Sequence, residues 1–163
     1  MRVTKYSVEL NEEKHVVLVK ESAQLYQPSE NSNEPCKQLL NAEQIVHMLN
    51  ECFRLDKKAE EYVYLLAFSA RMQLLGVFEL SRGTVDASFC NTREIFIRLL
   101  LCGATNFVIA HNHPSGDASP SAEDIKTMRR IREASQIMGV NMCDSIIIGE
   151  AGTFHSFCDA GEL

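Results

Sequence analysis

The sequence predicts a single α/β domain in which a mixed β-sheet is packed between helices. Three observations support this class. Short apolar segments typical of strands alternate along the chain with longer segments of helical periodicity. Two pairs of the strand segments are separated by short polar turns, so hairpins must contribute antiparallel pairs. The length of 163 residues is enough for one domain with a substantial core and too short for two.

Composition and charge exclude several classes of protein. The 45% hydrophobic and 23% charged content is ordinary for a globular protein, and no apolar run approaches the ~20 residues of a membrane helix. The alternating N-terminus predicts no secretion signal, and the six cysteines show no CxxC pairing, so we expect reduced thiols in a cytoplasmic protein. The net charge of −6 argues against nucleic acid as the main partner.

The N-terminal quarter of the chain predicts a hairpin and a loop. "KYSVEL" and "HVVLVK" flank the turn "NEEK", and the polar segment "QPSENSNEPCK" carries two prolines. We therefore separate residues 1–40, to which the sequence assigns no role, from a main domain at residues 41–163.

The main domain begins with five predicted elements: a helix, two strands, a second helix and a third strand. Asn41 begins a helix, with Gln44 placed as in a capping box. "YVYLLAFS" and "QLLGVFEL" predict neighbouring strands, and "TREIFIRLLLCG" a helix that ends at Gly103. "NFVIA" is short and wholly apolar, which predicts a central strand. The core-facing residues of the first helix are Ile45, Met48, Leu49 and Cys52.

The C-terminal part predicts the longest helix and a final pair of strands. "SAEDIKTMRRIREASQIMG" is a helix that ends at Gly139, and "DSIIIGEAGTFHSF" is a strand, a glycine turn and a second strand. The basic residues of this helix alternate with Glu123 and Glu133, which favours a solvated helix face over a nucleic-acid contact. These basic residues are Lys126, Arg129, Arg130 and Arg132.

Two histidines at the end of the predicted central strand are candidate metal ligands. The two-residue period of a strand puts Ile109, His111 and His113 on one face. Two imidazoles at i and i+2 on one face are close enough to bind a single ion. Pro114 then ends the strand, and a Ser/Gly/Pro loop leads into the long helix.

An aspartate at the start of that helix has two explanations. Ser121 is a good N-cap residue, and Asp124 could complete a capping box without any metal. However, Asp124 also begins the apolar helix face, and burying a carboxylate alone is costly. A cation held by the two histidines would supply its partner. The other residues of this face are Met128, Ile131, Ser135 and Met138.

Two histidines, one aspartate and an open position are a usual ligand set for catalytic zinc. The metal lowers the pKa of a bound water towards ~7, and a general base, commonly a glutamate, takes the proton. The sequence offers Glu60, Glu61 and Glu79 for this role.

The motif and its surroundings resemble a known family. "HNHPSGDASPSAED" fits H-x-H-P-x(6)-S-x-x-D, the metal motif of the JAMM (JAB/MPN) metalloprotease superfamily. "SRGTVDASFCNTREIFIRLLLCGATNFVIA" and "CDSIIIGEAGTFHSF" are similar to its RadC-like branch, and the resemblance covers about residues 55–161. It implies a JAB/MPN, cytidine-deaminase-like architecture for residues 41–163. The helix-hairpin-helix segment that often precedes this domain in RadC proteins has no counterpart in residues 1–40.

The resemblance also implies roles for individual residues. His111, His113 and Asp124 would bind zinc, and Ser121 would hydrogen-bond the oxyanion that forms when water attacks a carbonyl. Glu61 occupies the position of the catalytic glutamate.

Two features of the sequence bear on these implied roles. Glu60 is the close alternative to Glu61, because a one-residue shift reverses the side of the strand. Glu79 matches the position of the catalytic glutamate less well, because it lies late in the second strand of the main domain. One departure concerns the strand after the long helix, where RadC-like sequences usually have Asp-His and this chain has Asp144-Ser145.

These implications favour a zinc-dependent hydrolase that attacks a peptide or isopeptide bond in a peptide or protein substrate. Two other functions stay open. One is a DNA-repair-associated accessory protein of the RadC family without protease activity, although the acidic net charge argues against direct nucleic-acid binding. The other is a metal-bound scaffold without turnover.

Overall fold

A computed structural model of the chain describes residues 1–27, 39, 41–83 and 91–163. They form a mixed sheet of seven strands with helices on both faces, which confirms the predicted fold class. The strands are β1 Arg2–Leu10, β2 Val16–Leu25, β3 Glu61–Phe68, β4 Leu74–Gly83, β5 Asn106–Asn112, β6 Asn141–Ile148 and β7 Phe154–Ser156. The helices are α1 Ala42–Phe53, α2 Thr92–Leu101 and α3 Ala122–Met138, with a 3₁₀ turn at Leu55–Lys57.

The sheet order is β2-β1-β4-β3-β5-β6-β7, with β3 and β5 in the interior. Adjacent strands are antiparallel except for β1–β4 and β5–β6, which are parallel. The parallel β5–β6 pair is connected through α3, so both strands end at the same edge. The predicted central position of "NFVIA" is confirmed.

The two faces of β3 and β5 are buried in separate cores. On one face, α1 packs Met48 and Leu49 near Leu66 of β3, and on the other, α2 and α3 cover Leu65 and Ile109. Burial on both faces explains why these strands are apolar almost throughout. The expectation that Met138 belongs to the buried face of α3 is wrong. Met138 is 41% exposed, because it lies at the last turn of α3 along a shallow apolar groove beside α2.

The helix boundaries follow the predicted signals. The side chain of Asn41 accepts a hydrogen bond from the backbone of Gln44, and Gly139 ends α3 in the left-handed conformation. The predicted loop at residues 27–37 lies almost entirely outside the described residues. Within the described ranges, no helix combines the length and apolar character needed to cross a membrane.

Candidate metal centre

The two histidines of the motif lie where β5 ends. His111 is near the end of the strand, and His113 follows it directly, with its backbone N–H donating to the carbonyl of Ile148 at the end of β6 at 2.9 Å. Strand alternation turns both imidazoles towards the start of α3. Pro114 then takes the chain away from the sheet.

Asp124 is brought to these histidines by the cap of α3. Its backbone N–H donates to Ser121 Oγ at 3.2 Å, and its Oδ2 accepts from the Ser121 N–H at 2.8 Å, which completes a capping box. The same carboxylate lies with Oδ1 3.2 Å from His111 Nε2 and with Oδ2 3.4 Å from His113 Nε2. The cap and the metal group are therefore compatible, although the sequence presented them as competing explanations.

The spacing of the three ligand atoms fits one ion. His111 Nε2 and His113 Nε2 are 3.2 Å apart, and one ligand atom from each of the three residues lies within 4.8 Å of the others. An ion bound tetrahedrally at about 2.0–2.1 Å, the distance usual for zinc, places neighbouring ligand atoms about 3.3 Å apart. The group can therefore hold a metal ion with one position left over.

His113 is oriented by a main-chain group. Its Nδ1 lies 2.8 Å from the carbonyl oxygen of Asp117. A carbonyl only accepts, so Nδ1 carries the proton and Nε2 faces the centre. The side chain of Asp117 accepts from the Ser119 N–H at 2.9 Å, as in a turn closed by an aspartate side chain. The sequence analysis did not predict that the Asp117 carbonyl orients His113. The Asp-x-Ser pattern, which is typical of a turn, was the available signal.

The electrostatics of the group reflect close pairing. Burial alone would raise the pKa of Asp124, but hydrogen bonds with His111, His113 and Ser121 outweigh it and hold that pKa well below its usual range. The hydrogen bond to Asp124 raises the pKa of His113. Because a metal ion must displace protons from such a group, its binding weakens as the pH falls.

Glu61 faces this centre from the first position of β3. Its Oε2 atom is buried and has no hydrogen-bond partner among the described residues. Burial raises the pKa of this carboxyl, and the charges of His111 and His113 oppose that shift. A buried acceptor without a donor, next to the ligand atoms, fits a site that takes up a bound water.

The other two candidate glutamates are directed elsewhere. Glu60 is exposed and pairs with the guanidinium of Arg82. Glu79 accepts hydrogen bonds from Lys5 Nζ at 2.9 Å and from Tyr64 Oη at 3.3 Å. Neither carboxylate approaches the histidines, so Glu61 is the one that the fold presents to the centre.

Ser121 lies at the centre, but its hydroxyl is engaged. Ser121 Oγ donates to Asp124 Oδ2 at 2.6 Å. To hydrogen-bond an oxyanion, the hydroxyl must first turn its proton away from Asp124. The structure therefore places the Ser121 hydroxyl beside Asp124, with that carboxylate as its acceptor.

Asp144 and Ser145, where RadC-like sequences usually have Asp-His, lie on β6, next to β5. Asp144 is buried and accepts from the Ser145 N–H at 2.7 Å and from Ser156 Oγ at 2.6 Å. Ser145 is buried opposite Ile109, two residues before His111. Ser145 therefore lies beside the strand that carries the ligands.

Asn112, between the two histidines, was not singled out from the sequence. It is 2% exposed, its Oδ1 accepts from the Tyr62 N–H at 2.8 Å, and its Nδ2 donates to the Glu60 carbonyl at 3.1 Å. A carboxamide in an otherwise apolar strand was the available signal, since a buried amide requires partners.

The remaining histidines and the basic residues of α3 lie apart from this group. His47 contacts Tyr26, and His155 pairs with Glu162. In the part of the chain that the structure describes, a single group of metal-ligand type was found. The basic side chains of α3 are exposed, as predicted for a solvated face; they are Lys126, Arg129, Arg130 and Arg132.

Fold and site together define an α/β domain with a metal-ligand group of two histidines and an aspartate at the end of its central strand. The family model for the RadC-like JAB domain matches residues 39–162. The chain belongs to the RadC-like JAB domain family.

Several curated relatives match most of the chain and are named as UPF0758 proteins. The chain is 37% identical over 121 residues to a UPF0758 protein of Geobacter sulfurreducens, covering 74% of this chain and 52% of the relative. It is 33% identical over 128 residues to one of Thermotoga maritima, covering 74% and 57%. A UPF0758 protein of Desulfitobacterium hafniense is 32% identical over 134 residues, covering 81% and 58%. The chain thus spans little more than half the length of these relatives.

Proposed function

We propose that this chain is a zinc-dependent hydrolase of the JAMM type, in which a metal-activated water attacks a peptide or isopeptide bond. One observation carries the proposal. The atoms of His111, His113 and Asp124 have the mutual spacing of a tetrahedral ligand set. Glu61 interacts electrostatically with all three residues, and its buried Oε2 has no hydrogen-bond partner in the described part of the chain. Membership of the RadC-like JAB domain family, part of a superfamily that includes JAMM proteases, supports it.

The residues of the centre divide the work of amide hydrolysis. His111, His113 and Asp124 would hold the zinc, which lowers the pKa of water and polarises the carbonyl oxygen of the substrate. Glu61 accepts the proton of the attacking water. Burial raises the pKa of the Glu61 carboxyl, which suits a general base that would take this proton and pass it to the leaving nitrogen. Ser121 donates to the oxyanion once its proton has turned from Asp124.

The test begins with bound metal. Wild-type protein, purified without chelator or a histidine tag, is compared with His113→Ala and Asp124→Ala by mass spectrometry of metal per chain. We expect near-stoichiometric zinc in the wild type and its loss in both variants. His155→Ala is the matched control and should retain zinc, because His155 pairs with Glu162 away from the centre. A wild type that takes up no zinc at neutral pH would overturn the proposal.

Turnover is then measured on a panel of peptide and isopeptide substrates. Glu61→Gln should retain zinc and lose about 10²- to 10⁴-fold in rate, the range for loss of a general base. Glu60→Gln is the control, since its side chain pairs with Arg82, and should stay within about two-fold of the wild type. Zinc binding without turnover of any amide would favour the inactive scaffold. Salt-sensitive DNA binding would favour the DNA-repair accessory protein.

A further inference from the structure

The side chain of Asn112 spans the gap between the strand that carries the ligands and the start of β3. In the β3–β5 ladder, the pairing nearest the metal centre is Val63 with His111. Glu61 and Tyr62 precede that pair, and they are paired with Gly83 and Arg82 on the opposite edge of β3. On the β5 side, these residues meet a side chain instead of a strand.

Asn112 uses both ends of its carboxamide in this position. The Tyr62 N–H donates to Asn112 Oδ1 at 2.8 Å, and Asn112 Nδ2 donates to the Glu60 carbonyl at 3.1 Å. A longer contact of 3.5 Å reaches the carbonyl of Lys58. The amide therefore replaces the donor and the acceptor that a longer β5 main chain would have supplied.

The two main-chain groups that Asn112 binds lie immediately before and after Glu61. Fixing both neighbours of one strand residue fixes the direction of its side chain, because successive side chains alternate between faces. Asn112 itself is held in β5 by pairing with Ile148 of β6. The strand that presents His111 and His113 thus also sets the direction of Glu61.

We propose that Asn112 is a positioning residue that aims the Glu61 carboxylate at the metal centre through two hydrogen bonds to the backbone on either side of Glu61. The inference deepens the hydrolase proposal, on which its consequence for catalysis rests. Loss of these bonds leaves the ligand set intact and lets the start of β3 move, so zinc is retained while Glu61 is displaced. Displacement of a general base by about 1 Å is enough to lower a rate by about 10²-fold.

The variants are Asn112→Ala and Asn112→Asp in the full chain. Aspartate has nearly the size of asparagine, so Asn112→Asp creates no cavity. It keeps an acceptor for the Tyr62 N–H but cannot donate to the Glu60 carbonyl. Asn106→Ala is the matched control. Asn106 begins the same strand, and its Nδ2 donates to the Ser69 carbonyl at the opposite end of β3 at 3.1 Å.

Two readouts do not depend on activity. Amide hydrogen exchange of Tyr62 should accelerate at least ten-fold in Asn112→Ala and stay unchanged in Asn106→Ala. In protein loaded with Co²⁺, the pseudocontact shifts of residues 60–62 should change in both Asn112 variants, while those of Val108 and Ala110 in β5 stay as in the wild type. Zinc content should remain near-stoichiometric in all three variants.

The kinetic expectation is a fall in kcat of at least ten-fold with KM within about two-fold, because the bonds position the base and do not bind substrate. Unchanged exchange and unchanged shifts in Asn112→Ala would overturn the proposal, and so would full kcat in an active enzyme. If the wild type hydrolyses no amide, the hydrolase function fails, whereas exchange and shifts still decide whether Asn112 positions Glu61.

Discussion

At the scale of single residues, the centre combines well-satisfied groups with one that is left unsatisfied. The Asp124 carboxylate accepts from the backbone N–H and the hydroxyl of Ser121 and pairs with both histidines. Glu61, by contrast, keeps a buried oxygen to which no group of the described residues donates. Such an atom costs free energy in the folded protein, and sites of this kind are where function opposes stability.

Glu61→Gln should therefore stabilise the metal-free protein. A carboxyl whose folded pKa is raised by burial contributes stability only below its unfolded pKa, and that contribution is lost as the pH rises through the folded pKa. At pH 7 we expect the variant to gain about 1 kcal/mol in free energy of unfolding, measured by urea denaturation. The gain should shrink as the pH falls towards the raised pKa of Glu61.

Glu60→Gln serves as the control for this measurement. Glu60 is exposed and paired with Arg82, so its replacement should change the free energy of unfolding by less than about 0.5 kcal/mol. A Glu61→Gln protein that is less stable than the wild type at pH 7 would show that an unseen donor satisfies the carboxylate.

The grouping of His111, His113 and Asp124 was predicted from the sequence, and the main-chain groups that support the centre were not. The spacing of His111, His113 and Asp124 indicated the group, because strand and helix periods are local properties. The contact of the Asp117 carbonyl and the backbone contacts of Asn112 involve main-chain groups, which residue types do not reveal. Both depend on how a loop or a distant strand returns to β5, which local spacing does not encode.

At the scale of elements, the turn between β6 and β7 supports the loop that follows His113. The Glu150 N–H donates to the Gly116 carbonyl at 3.0 Å, and the Gly149 N–H donates to the Thr153 carbonyl at 2.9 Å. A Cβ on Gly149 would lie 2.3 Å from the carbonyl oxygen of Gly116, so only glycine allows this approach. The glycine turn was predicted from the sequence, but its contact with the ligand loop is a tertiary feature.

Gly149→Ala should therefore weaken metal binding. The added methyl group pushes the loop of residues 114–120 outward, and the Asp117 carbonyl that orients His113 moves with it. We expect zinc affinity, measured by competition with a chelator, to fall about 10- to 100-fold, as is usual when the support of a ligand is lost. Zinc affinity equal to that of the wild type would contradict this account.

Gly76→Ala is the matched control for the loop. Its added Cβ would lie 2.8 Å from Tyr6 Cδ2, which is also a clash, but one in the contact between β4 and the N-terminal hairpin. It should lower the thermal midpoint and leave zinc affinity unchanged. Comparison of Gly149→Ala with Gly76→Ala therefore distinguishes a loss of stability from a loss of metal binding.

At the scale of the whole molecule, the β1–β2 hairpin extends the sheet beyond the family match. That match begins at residue 39, whereas β1 lies beside β4, paired through Lys5 and Val77. Val3 and Tyr26 are 1% and 2% exposed and belong to the same core as α1. The hairpin was predicted from its turn, but its place beside β4 depends on contacts more than 70 residues apart in sequence.

Because the hairpin shares this core, we expect residues 1–27 to unfold together with the rest of the described chain. Val3→Ala removes two methyl groups from a fully buried site and should lower the free energy of unfolding by about 2 kcal/mol, with a single transition retained. Val16→Ala, on the exposed end of β2, is the control and should cost less than about 0.5 kcal/mol. The measurement is urea denaturation followed by circular dichroism, together with hydrogen exchange in β3 and β5. Faster exchange confined to β1 and β2, with the amides of β5 protected as in the wild type, would instead define the hairpin as a separate unit.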